Sequence, residues 1–256
     1  MNHRAVNILV CLLCLGAMGC AGNNAKDGDS DPYDPFESFN RKMYRMNEAM
    51  DNVLFKPLAK GYKAAAPKPV RRGFANIFAN LTTPRSALNN FLQGKPKRGF
   101  NELGRFLFNS TLGIGGIFDI ASAGGMERYD ESFGETLAVW GAPEGPYLVL
   151  PFFGPSSTLD AIALPVDYYS DINPHLKSSV RDKLYFFRTT DTRLRLLAAE
   201  SFIEKSNDPY IALRESYRQN REFRVYDGDP PSEDLDEMLE DDMFDEFFEE
   251  QPETEE

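Results

Sequence analysis

The run from Val10 to Cys20 settles which solvent this chain folds against. It closes on AMGC (residues 17–20), and it follows Arg4 and an apolar stretch, residues 5–18, too short to cross a bilayer. This is the layout of a lipoprotein signal, in which residues 1–19 are removed and Cys20 becomes the lipid-bearing first residue. Cys11 and Cys14 leave with the signal and no cysteine follows, so the processed chain has neither a free thiol nor a disulfide. Ala21 and Gly22, in place of an aspartate, favour the outer membrane as destination. A fold anchored this way meets lipid as well as water, and its apolar pattern has to be read against both.

Charge is segregated along the chain. Residues 228–256 hold 15 of the 40 acidic residues and no Lys or Arg, whereas residues 21–227 carry 27 basic and 25 acidic ones. The net charge of -12 therefore belongs to the tail. The nearly neutral body lacks the concentrated basic stripe that nucleic acid requires. No apolar run after Cys20 is long enough for a spanning helix. Aromatic rings are plentiful, 20 Phe and 11 Tyr beside one Trp, and such rings fill a core or seat at a lipid interface. Four stretches result: a signal (1–19), a small polar tether carrying the lipid (20–30), a folded body (31–227) and a disordered acidic tail (228–256).

Within the body, Asp34, Pro35 and Glu37 read as a capped helix start. Phe36, Phe39, Met43, Met46, Met50 and Val53 then recur at spacings of three and four, with Arg41, Lys42, Arg45 and Glu48 opposite, which predicts an amphipathic helix of about five turns. A second segment carries Phe74, Ile77, Phe78 and Leu81 and is expected to stop at Thr83-Pro84. A third, residues 86–93, is expected to bury Leu88, Phe91 and Leu92. A fourth, residues 97–110, is expected to turn Phe100, Leu103, Phe106 and Leu107 inward. Two more helices are expected over 178–187 and 192–204. Asp208 and Pro209 cap a last one, with Tyr210, Leu213 and Tyr217 on one face and Arg214, Glu215 and Arg218 on the other. Gly141, Pro143, Gly145 and Pro146 separate two apolar pieces, 136–140 and 147–153, and predict a hairpin or looped-out segment. Short, interrupted, two-faced helices suit the interface of one lipid leaflet better than a water-soluble bundle.

Known catalytic constellations find no purchase. Gly113, Gly115 and Gly116 follow a helix, and neither a strand nor a phosphate-loop lysine accompanies them, so they indicate close packing or a bend and not a nucleotide loop. Only His3 and His175 exist, and His3 leaves with the signal. Ser156 and Ser157 lie in GPSS, which is no nucleophile elbow. Zinc has too few ligands. The expectation is a protein that is not an enzyme and takes no cofactor beyond the lipid at Cys20. Two basic groups, Lys68 with Arg71 and Arg72, and Lys95 with Lys97 and Arg98, are candidates for contacts with lipid phosphates.

DPFESFNRKMYRMN (34–47), NNFLQG (89–94), RFLFNSTLGIGGIFD (105–119), FGETLAVWG (133–141), GPYLVLPFFGPSS (145–157) and SNDPYIALRESY (206–217) together resemble the VacJ/MlaA family of outer-membrane phospholipid-transport lipoproteins. The motifs are long, correctly ordered and spread over most of residues 31–225. One departure is Leu159, where the family usually places an arginine before the aspartate, here Asp160. The resemblance implies an all-α fold, a ring of short amphipathic helices lying in one leaflet around an amphipathic channel, with one glycine- and proline-rich hairpin-like loop. It further implies an outer-membrane protein at the periplasmic face. Such a protein associates with a trimeric porin and takes phospholipids from the outer leaflet toward a periplasmic phospholipid carrier. By the same analogy Met46, Asn47 and Glu48 influence channel opening, and Gly141 and Gly145 flex or gate. Two other readings remain, a structural lipoprotein that tethers the envelope through its acidic tail and a lipid hydrolase dependent on His175.

Overall fold

The computed structural model describes residues 31–230, so the signal, Cys20 with its tether, and the acidic tail from residue 231 onward lie outside the described residues. The described chain groups into two units, one ending at Arg214 and one beginning at Glu215. It is all-α apart from one two-stranded ribbon.

The first helix, α1 (Glu37–Met50), does not use the cap that Asp34 offers. Phe36 occupies the N-cap position without a side-chain bond. Asp34 is buried and its carboxylate turns inward, where it accepts from Asn40 Nδ2 at 2.7 Å, from the Tyr210 hydroxyl and from Arg214 Nη1 at 3.4 Å. A buried charge that gains a cation and two donors is worth more than one helix cap. Arg214, expected on the outer face of its helix, is accordingly buried, and it also pairs with Asp31 at 2.9 Å. After α1 the chain takes one π-helical turn (Asp51–Phe55) and continues as α2 (Lys56–Ala65), so helix persists well beyond five turns until extended Ala66 and Pro67 stop it.

Two breaks expected from the sequence do not occur. Helix α3 (Lys68–Leu92) runs through Pro84, joining the second and third expected segments. Proline removes one backbone donor; the neighbouring hydroxyls of Thr82 and Thr83 both donate to the Ala79 carbonyl, at 3.0 and 2.9 Å, in the turn where the ladder is interrupted. Helix α8 (Ser178–Glu204) is likewise continuous across Thr189 and Thr190, whose hydroxyls bond back to Tyr185 and Phe186. Between them lie α4 (Pro96–Thr111), α5 (Ile120–Ala123), α6 (Phe133–Val139), a hairpin of β1 (Tyr147–Leu150) and β2 (Gly154–Ser157), and α7 (Thr158–Ser170). The last helix, α9 (Pro209–Val225), starts as expected, with Asp208 Oδ1 accepting from the amides of Tyr210 and Ile211. In the second unit, Arg218 lies 3.1 Å from Glu215.

The hairpin exists, but with a different partner strand. Residues 136–139 belong to α6, with Trp140 as its C-cap, and the start of α6 carries a full capping box from Ser132 and Glu135. Tyr147 instead pairs with Ser157 and Leu150 with Gly154, antiparallel. Ser157 then caps α7 by accepting from the Asp160 amide at 3.1 Å. Its hydroxyl is thereby spent on structure, and His175, exposed, bonds the Tyr169 carbonyl.

Along most of α3 and α4 the interior is the reverse of a water-soluble core, whereas Tyr147, Val149, Leu159 and Tyr210 are buried elsewhere and Phe78 is buried on α3. On α4 the buried side chains and glycine are Gly99, Glu102, Arg105 and Asn109, while Phe100, Leu107 and Phe108 are 68%, 61% and 48% exposed. On α3, Asn80, Thr83, Ser86, Ala87, Asn89 and Asn90 are buried, and Leu88 and Leu92 face outward. The expectation that Leu88, Leu92, Phe100, Leu103 and Leu107 point inward is therefore corrected. The helical period was right and its polarity inverted. Inward polar groups are tolerable because they bond one another, and outward Phe and Leu are tolerable when the surrounding medium is apolar.

Candidate functional site

A seam of hydrogen-bonded polar side chains runs between α3, α4 and the segment that follows them. Asn80 Nδ2 donates to Ser110 Oγ at 2.9 Å. Asn90 Nδ2 donates to the Tyr129 carbonyl at 3.1 Å, and Tyr129 N–H donates to Glu102 Oε1 at 2.8 Å. Gln93 reaches Glu131 at 2.8 Å, and Thr136 Oγ1 donates to Asn89 Oδ1 at 3.0 Å. Arg105, 3% exposed, places Nη1 on the Met126 carbonyl and Nη2 on Asp119 and Ser122 at 3.2 and 3.0 Å. Asn109 completes this cluster by donating to Asp119 at 3.0 Å and accepting from Ala121 N–H at 2.9 Å. Burial raises the Asp119 pKa, but hydrogen bonds from Ser122 and Asn109 and the charge of Arg105 outweigh it and hold the group at about 2. Glu102 goes the other way. Its burial dominates, so its pKa is raised despite the Tyr129 amide and Arg105 at 3.8 Å.

Two glycines of LGIGG, Gly113 and Gly116, pack closely beside this seam, as expected from the sequence, whereas Gly115, at φ 68°, has open space around it. A Cβ on Gly113 would meet the Phe118 and Asn109 carbonyl oxygens at 2.2 and 2.5 Å. Gly116, at φ 91°, lies against the Asn80 side chain.

A second polar set ties α1 to the hairpin. Asn40 donates to the Tyr147 carbonyl at 3.0 Å and accepts from Val149 N–H at 2.9 Å. Asn47, two turns further along, repeats the pattern on the Leu150 carbonyl at 2.9 Å and Phe152 N–H at 2.8 Å. Each amide thus takes the place of a neighbouring strand's peptide group. The hairpin tip that Asn47 holds presents Phe152, at φ 68°, and Phe153, both largely exposed. Asp51 in the π-helical turn is clamped by Arg193 at 2.5 and 2.6 Å, and Arg193 and Lys56 both reach Glu200, at 2.9 and 2.6 Å.

Of the residues singled out by resemblance, Asn47 holds the hairpin, Met46 is half-buried beside it on α1, and Glu48 is exposed. Gly141 and Gly145 lie in the connection between α6 and β1 with φ of 86° and 69°. Gly145 sits against Thr158, where a Cβ would approach to 3.0 Å. Arg71 donates to the Ala66 carbonyl at 3.1 Å, at the end of α2, while Arg72 and Lys97 are exposed in the first turns of α3 and α4. No ion pair or hydrogen bond among the described residues brings Arg71, Arg72 and Lys97 together. Leu159 is buried. Sequence reasoning passed over Asn40, Asn90, Glu102, Arg105 and Asn109, although their spacing of three, four or seven was visible as the complement of the apolar stripe. No described helix is long and apolar enough to cross a membrane, and no group of metal-ligating side chains occurs among the described residues.

Comparison with known proteins places this architecture. Residues 32–224 match the family model for the MlaA lipoprotein. The intermembrane phospholipid transport system lipoprotein MlaA of Haemophilus influenzae is 35% identical over 195 residues, covering 74% of this chain and 78% of that protein. Its Escherichia coli counterpart is 33% identical over 195 residues, covering 75% and 78%. A solved structure described as the structural basis for maintenance of bacterial outer membrane lipid asymmetry is 33% identical, with a TM-score of 0.68 over 75% of this chain and 98% of that one. With the motifs, the helical order and the matched span in agreement, the chain belongs to the MlaA lipoprotein family.

Proposed function

We propose that this protein is an outer-membrane lipoprotein, anchored through acyl chains on Cys20, that removes phospholipids from the outer leaflet and hands them to a periplasmic carrier. Its described part lies within one leaflet and offers the polar passage that a headgroup needs. The observation that carries this is the inversion of α3 and α4, with Asn, Ser, Glu and Arg inward and Phe and Leu outward. A phospholipid leaving a membrane must take a charged headgroup past hydrocarbon at a cost of several kcal/mol unless polar partners line the way. The relatives' role in an intermembrane phospholipid transport system supports the same reading. A trimeric porin and a soluble carrier are the partners this reading requires. Nothing in it calls for bond-making chemistry or a metal.

The test is a strain lacking the protein, with outer-leaflet phosphatidylethanolamine labelled by a membrane-impermeant amine reagent. Surface label should rise and fall back on complementation with the wild-type gene. A Cys20→Ser version should not complement. Normal surface label in the deletion strain rejects the proposal. Full complementation by a chain ending at residue 227 separates it from the tethering alternative, which needs the acidic tail.

A further inference from the structure

Residues 52–101 contain ten Lys and Arg and no Asp or Glu, so all 25 acidic residues of the body lie outside this span. The fold engages half of these cations. Lys56 pairs with Glu200 at 2.6 Å, Arg85 faces Asp167 and Asp171 at 3.8 and 3.6 Å, and Lys95 lies 3.5 Å from Glu131. Arg98 sits over the Tyr129 ring at 4.8 Å, and Arg71 donates to the Ala66 carbonyl at 3.1 Å. The other five, Lys60, Lys63, Lys68, Arg72 and Lys97, are exposed and make no ion pair or hydrogen bond with any described residue.

Four of the five share one corner. Lys60 and Lys63 are three apart on α2, Lys68 and Arg72 are four apart on α3, and only extended Ala66 and Pro67 separate the two helices. Each of the four lies within two helical turns of that bend. Like charges at these spacings repel one another. Lys68 and Arg72 also stand toward the positive end of α3, whose first turn holds no acidic residue, so their own helix gains nothing from them. The charge of the corner is a cost to the isolated fold and a gain only against an anion outside it.

Val53 and Leu54 in the π-helical turn, and Val70 between Lys68 and Arg72, are exposed as well. Unpaired cations beside exposed aliphatic side chains suit the boundary between headgroups and hydrocarbon, where the cations meet phosphates and the aliphatic groups leave water. An acidic partner matches the charge but offers no hydrocarbon for Val53, Leu54 and Val70.

We propose that Lys60, Lys63, Lys68 and Arg72 form a docking surface for anionic phospholipid headgroups, which seats the α2–α3 corner on the leaflet that holds the protein. This rests on the leaflet placement in the transport reading and adds to it the edge that meets the headgroups and the lipid class that edge prefers. Of the two basic groups expected to meet phosphates, the one at residues 68–72 is retained, and the one at residues 95–98 is largely spent within the fold.

The experiment places the full-length lipidated protein in phosphatidylcholine vesicles. Electron spin resonance measures how strongly the protein restricts spin-labelled phosphatidylglycerol relative to spin-labelled phosphatidylcholine. Phosphatidylglycerol should be preferred at least twofold, and 1 M salt, with a Debye length of about 3 Å, should bring the ratio close to one. Lys60→Gln with Lys63→Gln, and Lys68→Gln with Arg72→Gln, should each remove about half of the preference, and all four together should abolish it. All four side chains are exposed, so the variants keep the fold, which circular dichroism checks. Lys42→Gln with Arg45→Gln, at exposed positions of α1, should leave the ratio unchanged. A ratio near one for the wild-type protein overturns the proposal, as does a preference that survives 1 M salt or the fourfold variant. An equal loss in the α1 pair overturns the assignment to this corner. A preference seen only in a chain ending at residue 227 shows that the acidic tail occupies the corner and overturns the lipid assignment. Lipid selectivity is read without transport, so a deletion strain with normal surface label rejects the transport reading and leaves this result to stand or fall by itself.

Discussion

Asn47 accepts a hydrogen bond from Phe152 N–H at 2.8 Å, across 105 residues of sequence, and so fixes the exposed tip of the hairpin to α1. Asn40 does the same for the hairpin's first strand through Val149. The two differ in burial, Asn40 being fully enclosed and Asn47 only partly. Asn40→Ala leaves buried peptide groups at Tyr147 and Val149 without partners and should lower unfolding stability by about 3 kcal/mol in chemical denaturation. Asn47→Ala should cost about 1 kcal/mol and act locally, with faster amide exchange at Phe152 and little change at Val149. Unchanged exchange at Phe152 in Asn47→Ala would show that the clamp does not hold the tip.

Glu102 is fully buried, with one oxygen on Tyr129 N–H and the other without a partner. Its pKa is raised by burial, so the folded state holds a proton more readily than the unfolded one, and ionisation at higher pH works against folding. Glu102→Gln keeps the acceptor for Tyr129 and removes the charge. It should match or exceed wild-type stability at pH 8, and the difference should vanish as pH falls below the ordinary carboxylate value, where both forms are neutral. Glu102→Ala should instead destabilise at every pH, by about 2 kcal/mol, because Tyr129 N–H loses its acceptor. A Glu102→Gln variant less stable than wild type at pH 8 contradicts this account.

Gly113 tolerates no side chain, since a Cβ would press on two backbone oxygens at 2.2 and 2.5 Å. Backbone cannot swing aside as a flexible side chain does. Gly113→Ala should therefore lower stability by about 2 kcal/mol or more, and melting temperature should report it. Gly61, with open space around it, is the control, and Gly61→Ala should be neutral or slightly stabilising at its mid-helix position.

Phe100 and Leu107 lie on the outward face of α4, seven residues apart. In water their replacement by serine should leave unfolding nearly unchanged, within about 0.5 kcal/mol, because little burial is lost. Partition of the acyl-free protein onto phosphatidylethanolamine–phosphatidylglycerol vesicles should fall, since each large apolar side chain contributes roughly 1.5–3 kcal/mol when it leaves water. Equal vesicle partition for the double variant and wild type would mean that this face does not meet lipid.

The sequence by itself determined the helical period, the capped start at Asp208, the close-packed glycines around Gly113 and Gly116, and a family resemblance carried by six motifs. Those are local or near-local properties, set by backbone sterics and by spacing along the chain. Only the tertiary structure decided which face of each helix is inside. A stripe of Phe and Leu at spacings of three and four implies an equal and opposite stripe of Asn, Glu and Arg, and the period is the same whichever stripe is buried. Here Glu102, Arg105 and Asn109 turn inward because Tyr129, Asp119 and Ala121 come from distant chain to bond them. The helix through Pro84, the strand at 154–157 and the burial of Asp34 with Arg214 were hidden for the same reason. In each case the stabilising partner lies in a neighbouring turn's side chain or far away in sequence, where local propensity carries no information.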